Sequence, residues 1–206
     1  MGKHVEYRPE WVREDFIDFL AEKVNPLWAW KKAKARIVAK HHLSDDFVYM
    51  QLQPNHHFKA TDYQAGQSIL VTVLIAGVRW QRSYSIVEIL ENGNLVIAVK
   101  QQGKVSNALT QQPVKSVVEI SQTQGEFVLK TQPHSALMIA SGSGITAIYA
   151  LINAALKRPQ TVSNIDLIYF TRDDSFHAEL QQLTEHYPQF KYHHVNTRTH
   201  KQHLSQ

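Results

Sequence analysis

A cation and an aromatic ring stand two residues apart in the segment Arg82-Ser83-Tyr84-Ser85, and this spacing suits a dinucleotide ligand. The segment reads as a strand, in which residues i and i+2 lie on one face about 7 Å apart. The Arg82 guanidinium would grip a pyrophosphate while the Tyr84 ring stacks on a flat ring system. FAD carries both groups, and the Ser85 hydroxyl could reach the polar edge of its flavin. The alternative is an ordinary exposed pair on a strand.

A second candidate phosphate site is Gly103-Lys104-Val105-Ser106-Asn107, which follows a predicted strand and opens a short helix. Backbone N–H groups at a helix start attract phosphate because they have no partner within the helix. Two phosphate-binding elements would then flank one pair of strands. The alternative is structural, since Gly103 could be a plain turn glycine and Ser106 only an N-cap.

A third candidate is Ala140-Ser141-Gly142-Ser143-Gly144-Ile145-Thr146, at the junction of an apolar strand and a helix. Open parallel sheets bind nucleotides at such junctions because glycines let the backbone approach a pyrophosphate. The third glycine of the usual fingerprint is missing, and a tight turn is the alternative. The next strand ends near Arg172, which could pair with a 2′-phosphate at the same edge. Its alternative is an exposed arginine neutralised by Asp173 or Asp174.

Short segments with a period of two must position the first two motifs. They are separated by turn residues such as Ala76-Gly77 and Asn92-Gly93, which suit tight hairpins. The predicted strands are residues 35–40, 47–53, 68–75, 78–86, 94–100 and 117–120, with a helix at 106–110. This pattern predicts a six-stranded antiparallel barrel.

After Pro133 the pattern changes to alternating strands and helices, which calls for a parallel sheet. The predicted strands are residues 136–140, 165–170 and 192–195, with helices at 145–157 and 175–185. The expected fold class is therefore a β barrel followed by a partial parallel α/β domain. We place an N-terminal helical extension at 1–32, the barrel domain at 33–131 and the incomplete α/β domain at 132–206.

The N-terminal extension reads as an amphipathic helix from Pro9 to about Asn25, ended by Pro26. Aromatic and cationic residues follow it, a mixture found at lipid headgroup surfaces or facing an acidic partner. They are Trp28, Trp30, Lys31, Lys32 and Lys34. Peripheral membrane contact is one interpretation, and the one we favour is a helix that covers an edge of the barrel.

Composition narrows the chemistry. The chain contains no cysteine, which excludes disulfides, thiolate catalysis and iron-sulphur clusters held by cysteine, so redox chemistry would need an organic cofactor. The histidine pairs lack zinc-like spacing, and we predict no metal site. The net charge of +4 is not clustered, which argues against nucleic acid as a partner. No segment predicts a membrane span or a signal peptide, and a cytoplasmic protein is the expectation.

The order and spacing of the three motifs over residues 34–195 resemble the ferredoxin-NADP reductase superfamily. In that family the arginine of the first motif binds the FAD phosphate, the tyrosine stacks on the flavin and the serine lies near N5. The resemblance thus gives Tyr84 and Ser85 the catalytic positions. The implied FAD site comprises Arg82, Ser83, Tyr84, Ser85, Val99, Lys100, Gly103, Lys104, Val105 and Ser106. The implied NADP site comprises Gly142, Ser143, Gly144, Ile145, Thr146, Thr171 and Arg172.

The resemblance implies hydride transfer from NADPH to FAD, then electron transfer to a protein acceptor such as ferredoxin, flavodoxin, an oxygenase or a desaturase. Family members continue to a Cys-Gly-Pro motif that is missing here, and we therefore expect a C-terminally truncated chain. The alternative is an FAD-binding electron-relay module that does not itself oxidise NADPH. A third hypothesis, a nucleic-acid-binding barrel with aromatic platforms, is opposed by the scattered basic residues.

Overall fold

The computed structural model describes residues 23–24, 27–28, 32–129, 134–157 and 163–197, and its first half is a closed antiparallel barrel. The barrel strands are β1 (Lys34–His42), β2 (Phe47–Pro54), β3 (Ser68–Ile75), β4 (Val78–Ile89), β5 (Leu95–Lys100) and β6 (Val117–Ile120). They pair in the order β1-β2-β5-β4-β3-β6, and β6 closes the barrel onto β1. The six-stranded barrel predicted from the period-two segments is confirmed.

Strand β4 divides its pairing between two neighbours. Residues 78–85 pair with β3, whereas pairing with β5 runs from Ile86 to Ile89 and contains a register shift. A bulge of this kind bends the strand. Because pairing with β5 begins only at Ile86, the first part of β4 keeps one edge unpaired, and helix α1 (Lys104–Gln111) lies near that edge.

The barrel interior is filled by alternate apolar side chains. Ile69 and Val71 of β3 and Ile97 of β5 are fully buried, as the period of two requires. Leu109 of α1 is also fully buried and joins the same cluster, so the helix closes the interior. Val105 and Thr110 of α1 are buried as well, while Lys104 at the helix start is exposed.

The second half of the chain is a three-stranded parallel sheet. Its strands are β7 (Ser135–Ser141), β8 (Asn164–Thr171) and β9 (Phe190–Asn196), and its helices are α2 (Ile145–Leu156) and α3 (His177–His186). Neighbouring strands are joined through one helix each, as the alternation of the sequence predicted. A 3-10 turn, Gly142–Gly144, leads from β7 into α2.

Only one face of this sheet is covered by described residues. Met138 and Ala140 of β7 are buried in the cluster that contains the apolar residues of α2. Leu137 and Ile139, on the opposite face, are 65% and 60% exposed. Parallel sheets usually carry cover on both faces. The exposed face is therefore an unusual feature of this part of the chain.

Phe176 joins the two halves through a shared apolar core. It precedes α3 with a left-handed backbone (φ 64°) and is fully buried. Its ring lies edge-on to Phe47 and Tyr49 of β2 and to Tyr149 of α2, with centroids 5.5, 5.8 and 5.3 Å away. Residues of the barrel and of the sheet belong to one cluster of buried side chains. This contact fixes the sheet against the barrel wall.

The predicted N-terminal helix lies outside the described residues except for Lys23 and Val24, which are helical. In the aromatic and cationic segment that follows, Trp28 is 54% exposed. Lys34 does not fit the predicted surface role, because it is 5% exposed and its Nζ donates a hydrogen bond to the Trp28 carbonyl. Within the described residues, we find no helix whose length and apolar character would let it cross a membrane.

Among the described glycines, Gly66 should be the one whose substitution destabilises the folded chain most. Its φ of 94° is unfavourable for other residues, and a Cβ would lie 2.0 Å from the Phe127 carbonyl oxygen. We expect Gly66→Ala to lower the free energy of unfolding by roughly 3 kcal/mol, combining backbone strain with the clash. Equilibrium unfolding in urea measures this loss in the free energy of unfolding.

The matched control is Gly93→Ala, because Gly93 has a φ of 80° but no atom within 4 Å of a Cβ. This variant should lose only about 1 kcal/mol, from backbone strain alone. Equal losses in both variants would contradict the close approach at Gly66.

Candidate functional site

A cleft of about 520 Å³ lies along the unpaired edge of β4, and we call it the β4 cleft. Its walls come from β4, the end of β5, the start of α1 and the glycine turn before α2. The lining residues are Trp80, Arg82, Ser83, Tyr84, Ser85, Ala98, Lys100, Gln102, Gly103, Lys104, Val105, Ser106, Ser143, Gly144 and Thr146. All three sequence motifs thus meet in one cleft of ordinary ligand-binding size.

Arg82 and Tyr84 project from one face of β4 into this cleft, as their spacing predicted. They stand opposite Val71 and Ile69 of β3 in the strand register. The Arg82 guanidinium donates one hydrogen bond to the Gln81 carbonyl, 2.8 Å away, and its side chain is exposed. The remaining guanidinium donors can meet an anion in the cleft.

Tyr84 offers a neutral aromatic ring. Burial raises the pKa of Tyr84 to about 12, although the charge of Arg82 opposes the rise. The phenol therefore stays protonated near neutral pH and cannot act as a base there. Its ring face and its hydroxyl donor are what it can present to a ligand.

The serines of the motif differ in their bonds. The Ser83 hydroxyl donates to the Ser68 hydroxyl at 2.8 Å and is held on the barrel surface. No hydrogen bond from the described residues engages the Ser85 hydroxyl, which is half-buried in the cleft. Ser85 is the serine whose hydroxyl is available to a ligand.

The start of α1 presents backbone donors held in place by Ser106. The Ser106 hydroxyl accepts hydrogen bonds from the N–H groups of Gln102 and Gly103, both at 3.1 Å, and donates to the Gly103 carbonyl. The helix begins at Lys104 with Gly103 as its N-cap, so the alternative that made Ser106 the N-cap residue is wrong. The first-turn N–H groups of α1 have no acceptor within the helix and carry its positive dipole end. Gly103 leaves open space beside them, with no atom within 4 Å of a Cβ position.

The turn at Gly142–Gly144 is held by hydrogen bonds to its carbonyl groups, and space is open beside its two glycines. The Tyr169 hydroxyl donates to the Gly142 carbonyl at 3.2 Å, and the Thr146 hydroxyl donates to the Ser143 carbonyl at 3.0 Å. Gly142 has a φ of 51°, which favours glycine. A Cβ at Gly142 or Gly144 would meet nothing within 4 Å. The open side is therefore wide enough for a ligand to approach the backbone.

A second cleft of about 580 Å³ follows the carboxyl end of β8, and we call it the β8 cleft. It is lined by Asp46, Lys100, Gln102, Ser141, Gly142, Phe170, Thr171, Arg172, Asp173 and Thr197. Arg172 is exposed there, and within the described residues no ion pair joins it to Asp173 or Asp174. The predicted alternative for Arg172, neutralisation by these aspartates, is not what the structure shows.

Lys100 lines both clefts and ties the barrel to the sheet. Its Nζ lies 3.2 Å from an Asp46 carboxylate oxygen and 3.1 Å from one of Asp173. The Asp173 carboxylate also accepts hydrogen bonds from the N–H and hydroxyl of Ser175. Burial would raise the pKa of Asp173, but these hydrogen bonds and the Lys100 ammonium together hold that pKa below its ordinary value. The family resemblance assigned Lys100 to the FAD site, and nothing in the local sequence indicated its contacts with Asp46 and Asp173.

Two predicted residues have side chains away from both clefts. Val99 is fully buried in the barrel interior and Ile145 in the shared core. Only their backbone atoms could meet a ligand. In the β4 cleft, three lining residues were not among the predicted ones: Trp80, Ala98 and Gln102. The period of two could have found Trp80, which stands two residues before Arg82.

The residues of the β4 cleft fit FAD. Arg82 and the first turn of α1 supply cationic and N–H donors for a diphosphate, and Tyr84 supplies a ring for a flavin. Within the described residues, no group of three or more His, Cys, Asp or Glu side chains is arranged to hold a metal ion.

Comparison with known proteins gives each half of the chain a family. Residues 34–129 match the oxidoreductase FAD-binding domain family, and residues 138–205 match the oxidoreductase NAD-binding domain family. The chain belongs to the ferredoxin-NADP reductase superfamily. In this superfamily member, the barrel corresponds to the FAD-binding match and the parallel sheet to the NAD-binding match.

Curated relatives of this superfamily member carry several names. A flavohemoprotein of Burkholderia sp. is 29% identical over 82% of this chain and 44% of its own length. An NADPH oxidoreductase of Mycobacterium tuberculosis is 30% identical over 81% and 46%. An NADH-cytochrome b5 reductase 1 of Mortierella alpina is 26% identical over 85% and 61%. The chain therefore spans about half the length of the curated relatives it matches.

Solved structures of other proteins share the fold of this chain. The cytochrome b5 reductase domain of Ulva prolifera nitrate reductase has a TM-score of 0.71 at 22% identity, covering 81% of this chain and 73% of that domain. A ferredoxin NADP+ reductase from Neisseria gonorrhoeae, with bound FAD and NADP, has a TM-score of 0.68 at 19% identity, covering 82% and 70%. At these identities the likeness concerns the fold alone.

Asp173→Asn should weaken the tie between barrel and sheet in a pH-dependent way. The lowered pKa of Asp173 means that its charge stabilises the folded chain above the ordinary carboxyl pKa of about 3.9. That stabilisation is lost as pH falls through the lowered value. We expect a loss of about 1 to 2 kcal/mol in the free energy of unfolding at pH 7, measured by urea titration.

The difference between the wild type and the Asn variant should shrink below about pH 4. The exposed neighbour supplies the control, since Asp174→Asn should change stability little at any pH. A constant difference from pH 7 to pH 3 would show that the Asp173 charge is not responsible.

Proposed function

We propose that this chain is a flavoprotein oxidoreductase that takes electrons from NADPH through FAD to a redox protein. The observation that carries the proposal is that Arg82 and Tyr84 project into the same cleft as the first turn of α1 and the glycine turn. The β4 cleft thus has cationic and N–H donors for a diphosphate, an aromatic ring for a flavin and a glycine turn that a second nucleotide can approach. The family membership of both halves supports it.

The roles of the β4 residues follow from what each can offer. Arg82 and the N–H groups at the start of α1 would hold the FAD diphosphate by charged hydrogen bonds. Tyr84 would orient the flavin by ring contact, and its neutral phenol neither adds nor removes a proton near pH 7. The Ser85 hydroxyl would donate a hydrogen bond at the N5 edge of the flavin. Bound FAD supplies the capacity to accept a hydride and to release electrons singly.

The glycine turn connects the two clefts. Ser143 and Gly144 line the β4 cleft, while Gly142 lines the β8 cleft. A nicotinamide nucleotide held along the β8 cleft could therefore place its reactive ring beside the flavin. Thr171 and Arg172 would lie at its adenosine end. The exposed Arg172 favours the 2′-phosphate of NADPH, because a guanidinium binds phosphate through paired hydrogen bonds.

The acceptor is proposed as a class. Members of this superfamily among the relatives are named for cytochrome b5 and for haem proteins. We propose a protein with a one-electron centre, in the class of ferredoxin, flavodoxin, an oxygenase or a desaturase. Peripheral contact with a membrane stays part of the proposal, carried by the exposed Trp28 before the barrel.

A second candidate function is an FAD-binding electron relay without NADPH oxidation. The exposed Leu137 and Ile139 favour it, because they leave one face of the nucleotide-binding sheet without cover from the described residues. Parallel sheets normally carry cover on both faces, and the described residues supply it on one face alone. The two candidates share the flavin site and differ in the second nucleotide.

Flavin binding and turnover test both candidates. The purified protein should take up FAD, seen as a visible absorption band, and NADPH should then reduce an artificial acceptor such as ferricyanide. Flavin binding without turnover would favour the relay. A protein that stays colourless with added FAD would overturn both candidates.

Arg82→Gln should weaken FAD binding by about tenfold to a hundredfold, because a charged hydrogen bond to the diphosphate is lost. Equilibrium dialysis or titration calorimetry with FAD measures the change. Arg79→Gln is the control, since Arg79 is exposed and paired with Glu119 at 2.7 Å. Equal losses in both variants would indicate a general effect of surface charge.

Arg172→Ala should raise the KM for NADPH by about tenfold and leave the KM for NADH nearly unchanged. The 2′-phosphate is the group that distinguishes the two nucleotides. Steady-state kinetics with each nucleotide measure the split. A parallel rise in both values would place Arg172 outside the 2′-phosphate site.

A further inference from the structure

Another cavity lies where the barrel meets the helices of the α/β part, and we call it the barrel–sheet pocket. Its volume is about 320 Å³, and none of its lining residues lines the β4 cleft or the β8 cleft. Residues in or next to β1, β2, β4 and β5 form one side, and residues of α2 and α3 form the other. They are Ala39, His41, Tyr49, Gln51, Val87, Glu88, Leu90, Val96, Tyr149, Asn153 and Glu179.

The Tyr49 hydroxyl has no hydrogen-bond partner among the described residues. Tyr49 is only 9% exposed, yet its oxygen is not sealed off, so a ligand atom in the pocket can reach it. Burial raises the pKa of this phenol, as do the nearby oxygens of Tyr149, Glu179 and Glu88. Four acidic side chains therefore surround one small space. A buried phenol normally has a partner, and its oxygen can accept a hydrogen bond from a ligand.

The Glu179 carboxylate gives the pocket an uncompensated negative charge. It is half-buried, and within the described part of the chain no lysine or arginine forms an ion pair with it. Burial raises the pKa of Glu179, while a hydrogen bond from its own backbone and the charge of His41 oppose the rise. The second carboxylate differs, because Glu88 is paired with Lys157 at 2.8 Å. A carboxylate that has lost water without gaining a cation is stabilised when a cation binds beside it.

The rest of the wall is apolar and adjoins the shared core. Carbon side chains line it at Ala39, Val87, Leu90 and Val96. The rings of Tyr49 and Tyr149 also line it, and both lie edge-on to Phe176, which packs the sheet against the barrel. Aromatic rings attract cations as well as apolar groups. The pocket therefore suits a compact apolar body that carries one positive charge.

We propose that the barrel–sheet pocket binds a small organic cation, an ammonium or amidinium group on a compact apolar body. The cation would lie against the Glu179 carboxylate and donate a hydrogen bond to the Tyr49 oxygen. Its body would cover the apolar wall. Because the ligand would contact both halves of the folded chain, binding would stabilise their packed arrangement. The inference does not depend on the proposed function, whose clefts lie elsewhere.

Benzylamine is the probe, and benzyl alcohol and benzoate carry the same ring with a neutral and a negative group. Titration calorimetry of the purified protein, with FAD added, should show benzylamine binding at least about tenfold more tightly than benzyl alcohol. Benzoate should not bind. Equal affinities for the three probes, or no binding of benzylamine, would overturn the inference and leave the flavin site untouched.

Glu179→Gln tests the charge, because it keeps the size of the side chain. It should weaken benzylamine binding by about tenfold and leave benzyl alcohol unaffected. Tyr49→Phe, which keeps the ring in the core, should weaken benzylamine by about fivefold. Glu185→Gln is the matched control, since Glu185 is an exposed glutamate of α3 outside the pocket. Equal losses in the two glutamine variants would indicate a general effect of charge and overturn the site.

Stability gives a second readout. Benzylamine should raise the urea midpoint of the wild type and of Glu185→Gln but leave that of Glu179→Gln nearly unchanged. If Tyr49→Phe disturbs the core, Glu179→Gln carries the same prediction at a half-buried position. A rise of the same size in all three proteins would contradict binding at Glu179.

An acetylated Gly-Lys-Gly peptide distinguishes a free amine from a lysine of a partner protein. It should bind about tenfold more weakly than benzylamine, because a single methylene chain covers less of the apolar wall than a ring does. Equal binding of the peptide would overturn the assignment to a small molecule.

Discussion

The packing of Phe176 into the barrel wall is the contact on which the positions of both clefts depend. The barrel and the sheet meet in one apolar core that contains Phe47, Tyr49 and Tyr149 around this ring. Because a close-packed core has few alternative arrangements, the sheet cannot slide along the barrel without opening cavities. The glycine turn before α2 is therefore held against the unpaired edge of β4. Residues from both the barrel and the α/β part of the chain line each cleft.

The β4 cleft exists because a closed barrel leaves one strand only partly paired. Residues 78–85 of β4 pair with β3 alone, whereas pairing with β5 runs from Ile86 to Ile89. An unpaired edge invites association with other strands. Here α1 lies near that edge, and the row of Trp80, Arg82 and Tyr84 extends into the space between them. The unpaired edge of β4 thus borders a groove as long as several side chains.

Polar contacts between the barrel and the sheet add to the apolar core that they share. Lys100 at the end of β5 bridges Asp46 of the barrel and Asp173 after β8. The Ser44 and Ser175 hydroxyls meet 2.8 Å apart beside this bridge. These bonds occupy Asp173 and leave Arg172 exposed at the mouth of the β8 cleft. Lys100 lines both clefts, and its ion pairs with Asp46 and Asp173 join barrel to sheet there.

The sequence by itself determined the barrel, the strand-helix alternation and the placement of Arg82 and Tyr84 on one face, because local backbone geometry fixes such relations. The glycine turn at Gly142–Gly144 was predictable for the same reason. Only the tertiary structure decided that Val99 and Ile145 face the cores. It also decided that Lys100 bonds to Asp173, 73 residues away. Contacts between distant segments depend on how whole elements pack, and no short-range pattern encodes them.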